Sequence, residues 1–294
     1  MIIIESAFAK INLSLDVLGK RDDGYHNLSS VMLPLELHDS VEIHLLPKGA
    51  NDDYVTCDDF SLSISKYNLC HKMIDCAREH FDFKARFIVH IHKNIFLQAG
   101  LGGGSADAGA VLRGIVKLLK IKASREELIE LAVKVGSDVP WSLFNKPLLV
   151  EQKGQKLDEI NVTKYPYVLL VKPKEGLSTQ EVFAKADEMG FDEHVNMQEV
   201  IKAYNEGDFD VLGEKVFNSL EKPAIAMLSD VQSIKDMMRA DGIKCVLMTG
   251  AGSCVFGLSN DLRLLKRLEI SYAKIGFKTK LTKILKGGDE ICCF

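Results

Sequence analysis

Gly100-Leu101-Gly102-Gly103-Gly104-Ser105 is a dense glycine run set between two segments of different character. Before it, Phe87-Ile88-Val89-His90-Ile91 is apolar and β-branched and reads as a buried strand. After it, Ala108, Val111, Leu112, Ile115, Leu118 and Leu119 recur at helical spacing. Glycine lets backbone reach positive φ and approach a ligand closely. The first turn of a helix offers unpaired N–H groups and a partial positive charge. Together they make an anion site suited to a di- or triphosphate. No Lys-Ser/Thr pair follows, so this is not a Walker A loop, and the third position of Gly-x-Gly-x-x-Gly is Ser105 or Asp107. A tight turn with no ligand is the competing reading. Asp107 falls in the first turn, where it would repel a nearby phosphate. It is expected to point away or to act through a metal ion.

Outward from the loop, Ile11, Leu13, Leu15 and Val17 alternate on one face of a strand, and Asp22-Asp23-Gly24 signals a turn. Residues 30–46 continue as strand, and 67–80 read as helix. Ser124 with Glu127 is a capping box, opening a helix that Gly136 ends. Val168-Leu169-Leu170-Val171 reads as a buried strand ended by Pro173, and residues 181–238 as mostly helical. Cys245-Val246-Leu247-Met248 and Val255-Phe256-Gly257-Leu258 are short strands flanking a second small-residue loop, Thr249-Gly250-Ala251-Gly252-Ser253. Strands and helices interleave with hairpin-like pairs, which points to an α+β architecture. The polar stretch 153–164 is the expected domain boundary.

The 294 residues are 47% hydrophobic and 27% charged, with a net charge of -4. That is long enough for one large domain or two modest ones, and nothing draws the whole chain to nucleic acid. The N-terminus lacks a secretory pattern, and no window approaches the ~20 apolar residues of a membrane helix. Seven cysteines with no Cys-x-x-Cys spacing, including adjacent Cys292-Cys293, suit a reduced cytoplasmic chain.

Single residues are less informative. Lys10 sits in an apolar strand, where a lysine taken alone faces solvent. Asp138, after Gly136-Ser137, is by itself a turn or cap residue, though a carboxylate there can act as a base. Tyr25-His26 at a turn suits base stacking or plain surface packing. His90 and His92 share a strand face without a third metal ligand, so a solvated face is the simpler reading.

Taken together the segments resemble the GHMP kinase superfamily, and within it the family acting on a cytidine diphosphate-linked methylerythritol. Ala9-Lys10-Ile11-Asn12-Leu13 with Asp23-Gly24-Tyr25-His26 resembles the opening motif. Residues 99–108 resemble the ATP loop, Gly136-Ser137-Asp138-Val139-Pro140 the catalytic segment, and Met248-Thr249-Gly250-Ala251-Gly252-Ser253 the last glycine motif. Phe8 and Phe96 replace family prolines, Ser253-Cys254 replaces Pro-Thr, and Lys153-Gly154-Gln155-Lys156 departs from Gly-x-Gly-Glu.

The resemblance implies a two-domain α+β fold. An ATP domain like ribosomal protein S5 domain 2 would span 1–158 and a ferredoxin-like α/β domain 159–294, with the last ~15 residues packing back on the first. Asp138 would be the base and Lys10 its partner. Leu97, Gln98, Ala99, Gly100, Leu101, Gly102, Gly103, Gly104, Ser105 and Ala106 would wrap the ATP phosphates, with Mg2+ carried mainly by ATP and near Ser105. Asn12 would position the small-molecule substrate, His26 would bind the cytosine, and Tyr25 and Phe183 would flank it. Neither nucleic acid nor membrane is implied as partner, and a monomer or homodimer is. Rival readings are another GHMP kinase, for homoserine, mevalonate or a sugar, and a non-catalytic ligand binder. Tyr25-His26 argues against the first, and Lys10 with Asp138 against the second.

Overall fold

The computed structural model describes residues 1–60, 62, 65 and 68–287. Tyr67, the expected first residue of the helix over 67–80, and Cys292-Cys293 lie outside the described residues.

β1 (Ile2–Lys20) and β2 (His26–Leu45) form a long antiparallel hairpin about the Asp22-Asp23-Gly24 turn, where Gly24 takes φ 81°. The alternation along β1 feeds two cores rather than one. Ile11 and Leu13 join one cluster, Leu15 and Val17 another. Register shifts at Asn12/Ser14 and Val17/Gly19 turn the strand between them. The intervening Lys10, Asn12, Ser14 and Asp16 are all buried too, so β1 is covered on both faces.

β3 (Tyr54–Cys57), α1 (Leu69–Phe81), β4 (Phe87–His92), α2 (Gly103–Leu119), α3 (Arg125–Val135), α4 (Val139–Ser142), β5 (Leu148–Gln152) and β6 (Lys156–Glu159) complete the N-terminal half. Its sheet runs β3-β4-β2-β5-β6 with β1 beside β2. Every α2 residue from Ala106 to Val116 is buried, because the helix lies between the sheet and α1 and α4. Ser124 and Glu127 form the expected capping box of α3, which ends at Gly136.

The second half holds β7 (Tyr167–Lys172), α5 (Thr179–Met189), α6 (Met197–Glu206), α7 (Phe209–Lys215), α8 (Glu221–Met227), α9 (Asp230–Ala240), β8 (Cys245–Met248), β9 (Val255–Ser259), α10 (Leu262–Lys274) and β10 (Lys278–Lys283). Its antiparallel sheet, ordered β10-β7-β9-β8, is the split β-α-β arrangement expected of a ferredoxin-like domain. The α+β fold class is as the sequence implies.

The polar stretch 153–164 contains β6, which pairs with β5 and extends the first sheet through it. The two halves share a core: Ile11, Leu13, Leu33 and Leu35 cluster with Val168, Leu170 and Phe256. The chain end ties them further, with Ile284 bridged to Leu35 and Leu285 N–H donating to Pro34 O at 2.9 Å. Among the described residues no helix is long and apolar enough to cross a membrane.

Candidate active site

α2 begins without a side-chain cap. Its N-cap is Gly102 at φ 72°, and Gly100 takes φ 69°, so the glycines turn the chain while the first helical N–H groups stay open. The second small-residue loop packs directly on this turn. A Cβ on Gly100 would lie 2.0 Å from Thr249 O, and one on Gly250 would lie 2.8 Å from Gly100 O. Thr249 Oγ1 accepts from Asn12 N–H at 3.0 Å and donates to Gly100 O at 3.3 Å. Asn218 then holds the second loop, its Nδ2 donating to Met248 O at 2.8 Å and Gly250 O at 2.9 Å. On the other flank Ser253 Oγ donates to Glu175 O at 2.8 Å. Lys172, buried, donates to the carbonyls of Pro173 and Glu175 and so supports the loop that Gly176 sets against Gln98. Burial, with Lys278 nearby, pulls the Lys172 pKa down.

Lys10 lies inside this arrangement. It is 3% exposed, which overturns the solvent-facing reading of a lone strand lysine. Its N–H donates to Leu101 O at 3.0 Å, and its stem lies 3.1 Å from where a Gly102 Cβ would stand. Lys10 Nζ donates to Asn12 Oδ1 at 2.6 Å and sits 3.4 Å from Asp138 Oδ2. Asn12 Nδ2 donates to Ser30 Oγ at 2.7 Å, which fixes its amide. Asp138 occupies the N-cap position of α4 yet makes no capping bond, and its side chain is 31% exposed. Its carboxylate is therefore free of the turn role and open to a ligand.

Tyr25 and His26 stand at the end of the β1–β2 hairpin. Tyr25 is exposed, with Lys153 Nζ 3.3 Å from its ring centroid. His26 is enclosed: Phe183 stacks on it at 4.7 Å, and Asp187 Oδ1 meets its Nε2 at 2.7 Å. The β5–β6 turn joins the two groups of residues. Lys153 lies on Tyr25, while Gly154, at φ 104°, would place a Cβ 2.0 Å from Ser137 O beside Asp138. His92 is exposed, and its ring lies 4.4 Å from that of His90 on the outer sheet face. Among the described residues no cluster of three or more His, Cys, Asp or Glu could hold a metal.

Comparison with known proteins gives the family. Residues 68–146 match the GHMP kinases N terminal domain and residues 199–269 the GHMP kinases C terminal. The chain is 34% identical, over 95% of its length and 96% of the relative's, to 4-diphosphocytidyl-2-C-methyl-D-erythritol kinase of Thermoanaerobacter pseudethanolicus. It is 38% identical to the Bacillus licheniformis protein of the same name, over 88% of each chain. The chain belongs to the 4-diphosphocytidyl-2-C-methyl-D-erythritol kinase family. It is an ATP-dependent kinase. A crystal structure of 4-(cytidine 5'-diphospho)-2C-methyl-D-erythritol kinase superposes with a TM-score of 0.80 at 25% identity, covering 98% of this chain and 100% of that one. Homoserine kinase from Cytophaga hutchinsonii, at 16% identity and a TM-score of 0.73, shares the fold.

One part of this kinase escaped the sequence. Asp107 on α2 is buried and ion-paired with Lys93. Lys93 Nζ donates to Asp107 Oδ2 at 2.8 Å and also to Asp39 Oδ2, all three buried. Asp39 Oδ1 accepts from Asn94 N–H at 2.6 Å and Ile95 N–H at 2.8 Å, so Asp39 is the better-stabilised anion. Burial, with Asp39 adding to it against the pull of Lys93, pushes the Asp107 carboxyl up to about 7. Burial opposes the charge on Lys93, but the two carboxylates overcome it and raise its pKa.

The sign for stability follows from proton counts. An unfolded aspartate ionises near ~4, while native Asp107 holds its proton to about 7. Between those values the native state binds more protons, so this group's contribution falls as pH rises and is lost above about 7. Asp107→Asn is expected to remove that slope, at most about 1.4 kcal/mol per pH unit. Urea unfolding of both proteins from pH 5 to 8 checks it, and parallel curves would refute it.

Proposed function

We propose that this enzyme transfers the γ-phosphoryl group of ATP to the C2 hydroxyl of 4-diphosphocytidyl-2-C-methyl-D-erythritol. The products are ADP and the 2-phosphate, a step of non-mevalonate isoprenoid synthesis. The observation that carries the reading is Lys10 Nζ, 3.4 Å from an uncommitted Asp138 carboxylate, at the uncapped start of α2.

In this reading residues 97–106 hold the triphosphate on open backbone N–H groups, including those of Gly103, Gly104 and Ser105. Asp138 accepts the proton of the C2 hydroxyl. That oxygen forms the bond to the γ-phosphorus as the bond to the β–γ bridging oxygen breaks, and the electron pair leaves with ADP. Lys10 orients the hydroxyl and Asp138 and offsets the charge gathering on the transferred group. Asn12, fixed by Ser30 and Thr249, holds Lys10 and the substrate in line. Mg2+ would accompany the triphosphate, with the half-buried Ser105 at the loop edge as the protein group to hold it, and would supply charge neutralisation. His26, Tyr25 and Phe183 take the cytosine end. A cytoplasmic location and a monomeric or homodimeric state belong to the same proposal.

ATP consumption with 4-diphosphocytidyl-2-C-methyl-D-erythritol, mevalonate and homoserine offered separately tests it. Turnover is expected with the first alone. Turnover of homoserine or mevalonate without it sinks the proposal.

A further inference from the structure

Asp187 has no role above, yet its carboxylate meets the His26 ring. α5 carries Phe183 and Asp187 four residues apart, so both reach the same side of the helix. Phe183 covers the face of the His26 ring, with centroids 4.7 Å apart and planes 30° apart, and Phe191 meets it edge-on at 5.9 Å. Asp187 Oδ1 lies 2.7 Å from Nε2, and Lys20 Nζ donates to the other carboxylate oxygen at 2.5 Å. The His26 side chain is 8% exposed, so its ring has little freedom to turn. The Lys20 bond, then the His26 bond, hold the Asp187 carboxyl below the usual carboxylate range.

An ionised carboxylate can only accept, so Nε2 carries the hydrogen. In the neutral imidazole Nδ1 is then an acceptor, and it has no partner among the described residues. We propose that Asp187 sets base specificity: it fixes His26 as the Nε2–H tautomer, so that Nδ1 accepts from the amino group of an aminopyrimidine and turns away the keto analogue. A cytosine amino group donates to Nδ1, whereas a uracil carbonyl sets lone pair against lone pair. The inference rests on the proposal that His26 reads the pyrimidine. Asp187 is a positioning residue and touches no reacting atom.

Asp187→Asn keeps the shape but offers an amide N–H to Nε2, which drives the ring hydrogen to Nδ1. Steady-state kinetics with the cytidine substrate and its 4-diphosphouridyl counterpart, with ring 15N spectra of His26, are the readouts. The variant is expected to lose on the order of 10- to 100-fold in kcat/KM for the cytidine substrate, through KM rather than kcat. The KM for ATP should hold, the preference for cytidine over uridine should shrink, and the 15N signature should move to the Nδ1–H form. Asp187→Glu should restore part of the preference. A wild type inactive on the cytidine substrate overturns the functional reading and this inference with it. An active wild type whose Asp187→Asn variant keeps its full cytidine preference overturns this inference alone.

Discussion

Asp138→Asn should lower kcat by about 100-fold or more while leaving ATP affinity and stability unchanged. A positioned general base contributes on that order, and an amide cannot take the proton. The surroundings of Asp138 keep the result easy to interpret. The residue stands at the start of α4 without capping it, so the helix loses no hydrogen bond. Its side chain is 31% exposed, and its ionic contact is Lys10 at 3.4 Å. Lys10 keeps Asn12 as a partner at 2.6 Å, so the substitution does not strand a buried cation. Steady-state kinetics, a direct ATP titration and a thermal melt separate the three effects. A kcat close to wild type would remove Asp138 from the mechanism.

What could be read from the chain depended on how local the signal was. The strand before the glycine loop, the helix after it and the Ser124–Glu127 capping box all declare themselves within a few residues, and the structure holds each of them. β6 and β10 did not. Lys156-Leu157-Asp158-Glu159 and Lys278-Thr279-Lys280-Leu281-Thr282-Lys283 are edge strands, and edges favour charge that blocks further pairing, so neither carries the apolar signal of a buried strand. Lys10 was ambiguous for a different reason. A strand shows which residues share a face but not whether the far face is covered, and here the glycine loop and the Thr249-Gly250 loop cover it.

Long-range partnerships that no motif carries were out of reach. Asn218 reaches the Thr249 loop from the coil between α7 and α8, and Lys93 joins two aspartates 54 and 14 residues away. Asp187 is intermediate. Its four-residue spacing from Phe183 was visible, but nothing local ties it to His26, 161 residues earlier.

Gly100→Ala should damage folding and catalysis together, and Gly104→Ala should not damage folding. The two glycines belong to one run but do different work. Gly100 sits at φ 69°, and its Cβ would stand 2.0 Å from Thr249 O, 2.9 Å from Thr249 C and 3.0 Å from Gly252 N. Those atoms are backbone, so no side chain can swing aside. The left-handed conformation costs about 1–2 kcal/mol for a residue with a Cβ, and forced overpacking about 1–3 kcal/mol more. Relief requires the Thr249 loop to withdraw, and Thr249 Oγ1 also holds Asn12, which holds Lys10. A drop in unfolding free energy of about 2–5 kcal/mol should therefore come with loss of turnover. Gly104 lies inside α2, where a Cβ meets Leu69 Cδ1 at 3.7 Å, an ordinary contact. Alanine there gains up to about 1 kcal/mol of helix propensity. Urea unfolding of both variants decides the matter: opposite signs at two positions four residues apart would follow from the close approach of the two loops. Equal stability of the two variants would mean that this approach does not hold the site together.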